Sequence, residues 1–105
     1  MKLTIYREKL YINGAHFCFA KVGNGRPSLP TGRYPVSTQY AHAHGKTLPD
    51  AVGLGWLGSD PGCDIVLGSV RGRHGVHPSQ SCVSALLAKL EVAEDNGQSV
   101  WLEVE

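Results

Sequence analysis

The 105-residue chain carries ten basic and nine acidic residues, a net charge of +1, and no block of like charges. That balance argues against nucleic acid as a partner and against a polybasic membrane patch. The length suits one domain over residues 1–105, and three cysteines with no CxxC pair argue against a disulfide framework or a cysteine-rich zinc site.

The opening Met1-Lys2-Leu3-Thr4-Ile5-Tyr6-Arg7 lacks an apolar stretch of signal-peptide length, and no later stretch could span a bilayer. Synthesis in the cytoplasm is the expectation. Leu3 to Tyr6 alternates as a strand does. Lys9 to Ile12, then Asn13-Gly14, then Ala15 to Val22 reads as a hairpin, because Asn-Gly accepts the positive φ angles of a type I′ turn. Cys18 is a strand residue in this reading. Gly23 to Pro27 is a loop, and Pro30 to Tyr40 is a turn feeding another strand.

From Ala41 to Gly62 there is no clear period, which predicts a long functional loop rather than a regular element. Asp64 to Gly68 predicts a short buried strand, and Gly68 to Pro78 another glycine-rich connection. A helix follows, capped by Ser79 or Ser81, with Cys82, Leu86, Leu90 and Ala93 on one face and Asn96-Gly97 as its left-handed stop. Ser99 to Val104 alternates as a last strand. The predicted fold is mainly β: a curved, mostly antiparallel sheet carrying one C-terminal helix that precedes the final strand.

Cys63 is the candidate nucleophile. Gly62 before it permits close approach, and Ser59-Asp60-Pro61 favours a turn that presents the thiol at the head of the apolar run Ile65 to Leu67. The bland alternative is a small core residue. His42, His44, His74 and His77 form a His-x-His and a His-x-x-His pair, yet they sit in glycine-rich stretches with no carboxylate at a recognised interval, so no metal is expected. Arg71 and Arg73 could hold a substrate carboxylate, and Trp56 could wall a peptide groove; solvated loop residues are the plain alternative.

The order of these parts resembles the small, often phage- or prophage-encoded proteins of the DUF5675 group, themselves similar to the catalytic domain of L,D-transpeptidases, the YkuD fold. The resemblance covers nearly the whole chain. It rests on the strand ending in Arg7, the hairpin LYINGAHFCF, the turn LPTGRYPV at residues 29–36, LPD at 48–50, Gly62-Cys63 before an apolar strand, and a late SQS before the helix and final strand.

What the resemblance implies is a cysteine enzyme, without a cofactor, acting on a peptidoglycan stem peptide. Cys63 matches the nucleophile position, and a histidine would take its proton. Where the family places a histidine-containing segment ahead of the Gly-Cys pair, this chain has Gly55-Trp56-Leu57-Gly58-Ser59. His44, 19 residues before Cys63, is the first replacement for the base, and His74, 11 after it, the second. A rival register lays Ser79-Gln80-Ser81-Cys82 over the family's Ser-His-Gly-Cys motif, with His74 or His77 as base. A catalytically degenerate scaffold that binds a wall peptide or a host protein is the alternative function.

Overall fold

The computed structural model describes residues 1–22, 30–36, 57–58, 65–73 and 75–105. Among these, eight strands and one helix follow in the order β1 (Lys2–Tyr6), β2 (Lys9–Ile12), β3 (Ala15–Val22), β4 (Gly32–Pro35), β5 (Leu57–Gly58), β6 (Ile65–Gly72), β7 (Gly75–Pro78), α1 (Gln80–Asp95) and β8 (Trp101–Val104). The strands form one mixed sheet in the order β4-β8-β1-β2-β3-β6-β5, with β7 paired to β6 off that path.

The β1–β2 hairpin turns on Arg7 and Glu8, both left-handed at φ 51° and 63°. That conformation suits a two-residue hairpin but strains residues that carry a Cβ. Two contacts hold the turn: the backbone N–H of Ala20 donates to the Glu8 carbonyl at 2.9 Å, and Arg71 Nη1 donates to the Arg7 carbonyl at 3.3 Å. The β2–β3 turn forms on Asn13-Gly14 as the sequence predicts, with φ 50° and 87°. Asn13 Oδ1 also accepts from the Lys2 backbone N–H at 2.9 Å, so the turn braces the start of β1.

In β3 the register shifts where His16 and Cys18 face Tyr11 and Leu10 in turn, the extra residue of a β-bulge. Phe17 thereby packs against the core cluster. The last strand lies parallel to β1, Leu3 beside Leu102 and Ile5 beside Val104. It returns there because α1 crosses the sheet between β7 and β8.

Alternation sorts the strands into two faces, except at the start of β6, where Val66, opposite Lys21, is buried as well, outside the cluster beneath α1. Leu3, Ile5, Leu10, Cys18, Ala20, Ile65, Leu67, Leu102 and Val104 are buried in one cluster with Val83, Leu86, Leu90 and Ala93 of α1. Each such aliphatic side chain taken fully out of water contributes about 1.5–3 kcal/mol before entropy is counted. The helix stripe is the predicted one, except that Val83 is buried where Cys82 is half-buried. Its end is a Schellman motif: Gly97 at φ 72°, its N–H on the Glu94 carbonyl and that of Gln98 on the Ala93 carbonyl.

Two sequence expectations are corrected. Within the stretch read as a loop without regular elements, Leu57–Gly58 pair in parallel with Ile65 and Val66. The stretch from Gly68 to Pro78, read as a connection, is a hairpin in which β6 continues to Gly72 and pairs antiparallel with β7. The turn uses Gly75 at φ 103°. Gly68 is where the two strands meet most closely: a Cβ there would lie 2.0 Å from the His77 carbonyl oxygen. The glycines that signal a loop in sequence here permit close strand contact instead.

Candidate functional site

Cys63, His44, His74, Trp56 and His42 lie outside the described residues. The described residues that flank Cys63 in the chain form a frame: β5 sets Leu57 beside Ile65, and Ile65 opens β6 two residues after Cys63. Ile65 and Leu67 are fully buried, so β6 is anchored at the end nearer Cys63 in the chain.

Arg71 stands six residues further along β6, about 20 Å in an extended strand. Its guanidinium lies 5.7 Å from the centre of the Phe19 ring while donating to the Arg7 carbonyl. Arg73 is exposed in the turn after β6. Both arginines predicted to bind a substrate carboxylate therefore sit at the hairpin end of β6, away from the end that follows Cys63.

The other two thiols are accounted for by packing. Cys18 faces the helix side of β3, 3 % exposed. Burial, and secondarily the proximity of Cys82, pushes its pKa up to about 12. A thiol so placed is neither a nucleophile nor a metal ligand at neutral pH. Cys82, in the first turn of α1, is half-buried and packs against the core. Ser79 stands at the N-cap position but its side chain makes no cap bond; its Oγ shares a hydrogen bond of 2.8 Å with Ser81 Oγ.

His77 leans away from that helix start. It pairs with Val70, and its ring lies against Gly72, where an added Cβ would come 2.7 Å from Nε2. Gly72 is at the turn end of the hairpin, whereas Ser79 bonds to the Leu67 carbonyl at the opposite end. The fold thus draws His77 and Cys82 apart.

Sequence reading missed the outward face of the sheet. There Tyr11, His16 and Phe19 form an edge-to-face chain, with centroids 5.8 and 5.3 Å apart. Arg7 lies 5.2 Å from the Tyr6 ring and Arg33 5.0 Å from that of Trp101. The period-2 alternation could have found Tyr6, Tyr11, Phe19 and Trp101, each next to a buried residue, but not His16, Arg7 or Arg33, and the pairing across strands needs the register. Elsewhere, a groove of about 490 Å³ runs between α1 and the β2–β3 turn, lined by Met1, Ile12, Lys89, Val92 and Ala93 among others.

No family model, curated protein or solved structure matches this chain. Among the described residues no group of three or more histidine, cysteine or acidic side chains could hold a metal. None of their helices is long and apolar enough to cross a membrane.

Proposed function

We propose that the chain is a cysteine acyltransferase or hydrolase of L,D-transpeptidase type, with Cys63 as nucleophile and a peptidoglycan stem peptide as substrate. The observation that carries the choice of thiol is the fate of the other two: Cys18 is held neutral in the core, and Cys82, in the first turn of α1, packs half-buried against that core. In this reading the Cys63 thiol gives its proton to His44 or His74, and the thiolate attacks a stem-peptide carbonyl. A thioester forms as the leaving amine departs with the proton, and an amine or water then releases the acyl group. Trp56 would wall the groove. Arg71 and Arg73 would reach a part of the substrate remote from the reacting carbonyl.

A second reading is favoured by Arg71. A guanidinium already engaged by Phe19 and the Arg7 carbonyl is part of a surface, which suits a binding module on the same scaffold, holding a wall peptide or a host protein.

The test is iodoacetamide labelling of each cysteine between pH 5 and 9, read by mass spectrometry, followed by turnover of wall fragments. Rapid labelling of Cys63 well below pH ~8.5, with turnover abolished in Cys63→Ala, is the expected result. Slow labelling with binding but no turnover, unaltered by Cys63→Ala, would replace the enzyme with the binding module. Rapid labelling at Cys82 would move the nucleophile to the helix start.

A further inference from the structure

We infer that the face of the sheet turned away from α1 binds single-stranded nucleic acid. The inference goes beyond the proposed reaction and does not involve Cys63. It begins with charge. The whole chain is nearly neutral, and on that ground the sequence predicts no nucleic-acid partner, but the fold separates the signs. Lys2, Lys9, Lys21, Arg33 and Arg71 reach the outward face, where the acid is Glu103, in register with Arg33 and ion-paired with Lys2 at 2.8 Å, and a second acid, Glu8, is exposed beside Arg7 in the turn. On the C-terminal half of α1, Lys89 is outnumbered by Glu91, Glu94 and Asp95.

The second observation is where the rings stand. Tyr6, Lys9 and Phe19 are direct cross-strand neighbours on β1, β2 and β3, a row in which a cation lies between two aromatic rings. Arg7 and Arg71 flank that row, one beside Tyr6 and one beside Phe19. The next row holds Tyr11 opposite His16. Trp101 with Arg33 extends the surface to β8 and β4. The rim of this surface is open to solvent, with Tyr6 43 % and Trp101 38 % exposed and His16, Arg7, Arg33 and Arg71 exposed as well, while Lys9, Tyr11 and Phe19 between them are half-buried.

The third is the strained Arg7-Glu8 turn. Its left-handed residues lift the Arg7 guanidinium beside Tyr6, and the bond from Arg71 to the Arg7 carbonyl fixes both arginines at one corner. Backbone strain in residues that disfavour it, retained beside a cationic cluster, is the pattern of a working surface.

Interleaved rings and cations match one polymer chemistry. Each base offers a flat π-face to a ring or a guanidinium plane, and each phosphate offers a charge to Lys or Arg. Duplex DNA hides its base faces, and polyphosphate or a poly(glycerol phosphate) wall polymer has none. Neither would gain from the rings.

The experiment is fluorescence anisotropy of labelled 15-nucleotide dT and U strands with the full chain at 50 mM salt. Competitors are duplex DNA of that length, inorganic polyphosphate and poly(glycerol phosphate). Saturable binding that the three competitors displace at least about tenfold less well than unlabelled strand supports the inference. Tyr6→Ala and Trp101→Ala should each weaken binding about five- to 150-fold, the range for losing one base–aromatic stack, while Tyr6→Phe keeps it. Arg71→Ala should lower the slope of log affinity against log salt by about 0.7, one phosphate contact on a single strand. Lys89→Glu, on the helix, should leave affinity unchanged. Thermal melts identify any variant that fails to fold, and discrimination among the polymers by the unmodified chain is decisive without variants. Absence of binding at 50 mM salt, equal displacement by polyphosphate, or affinity indifferent to loss of the rings would overturn it.

Discussion

Along β1, Leu3 and Ile5 are buried in one cluster with side chains of α1, while Thr4 and Tyr6, one residue away, look outward, Thr4 between Tyr11 and Glu103 and Tyr6 beside Lys9 and Arg7. The two faces of one sheet thus follow different physics. The inner face is held by apolar burial, which is non-directional and sensitive to volume. The outer face is an array of ring and cation contacts in solvent, each worth about 0.5–1 kcal/mol at such exposure. Stability should therefore reside on the inner face and recognition on the outer, and substitutions one residue apart should separate the two.

Strand β6 gives the largest contrast. Leu67 is fully buried and Val70, three residues on, is 55 % exposed. Leu67→Ala should cost about 2–5 kcal/mol, a transfer penalty plus a cavity. Val70→Ala should fall within about 0.5 kcal/mol. Urea denaturation of the two variants checks this, and equal losses would mean that Val70 is packed as tightly as Leu67.

Cys18 sharpens the comparison by pH. Its pKa is raised on folding from an ordinary 9.0 to about 12 because burial penalises the thiolate. The unfolded chain therefore ionises first. The contribution of this thiol is intact below pH ~9 and is lost progressively as pH rises toward its folded value. Melts of the native chain should fall more steeply above pH 9 than those of Cys18→Ala, measured against each protein's own value at pH 7. In the native state iodoacetamide should modify Cys82 well before Cys18.

The Arg7-Glu8 turn belongs to the outer face and should respond in the opposite direction. Glu8 sits at φ 63°, where glycine is at ease and glutamate is not. Glu8→Gly should raise stability by about 0.5–1 kcal/mol, the relieved strain exceeding the added chain entropy. A higher urea midpoint with an unchanged slope would check it.

How far the sequence reveals this molecule follows the same division. The inner face was legible because burial writes itself as period: Leu3 and Ile5 in a strand, Leu86, Leu90 and Ala93 in the helix, Asn13-Gly14 and Asn96-Gly97 as their stops. The β6–β7 hairpin was not, because Gly68, Gly72 and Gly75 read as loop punctuation, yet Gly68 and Gly72 are there to admit the His77 backbone and ring. The Arg7-Glu8 turn escaped notice because neither residue is a turn former, although two alternating runs separated by two residues, Leu3 to Tyr6 and Lys9 to Ile12, do mark a hairpin. For the candidate site, the sequence singled out Arg71 by residue type; its neighbours Phe19 and Arg7 arrive from 52 and 64 positions away and depend on strand order. Total charge misled for a related reason, since a sum over residues does not register that most of the described bases stand on the sheet while Glu91, Glu94 and Asp95 cluster on α1.

The smallest effect tests the outer face at its one ion pair among the described residues. Lys2 Nζ lies 2.8 Å from Glu103 Oε2, with the lysine side chain 58 % exposed. The hydrogen bond from Lys2 and its charge, aided by Arg33, hold the Glu103 carboxyl below its usual range. A lowered acid pKa stabilises the fold above the unfolded value and loses that contribution as pH falls through the folded one. The pair should therefore matter above pH ~4.5 and fade below it. Water screens it, so Lys2→Met should shift the melting midpoint only slightly at pH 7, less still at 1 M salt, and not at all near pH 2. The same substitution removes one cation from the proposed nucleic-acid surface. A salt slope that drops while stability holds would separate recognition from packing at a single residue, and a large loss of stability at pH 7 would place Lys2 in the core framework instead.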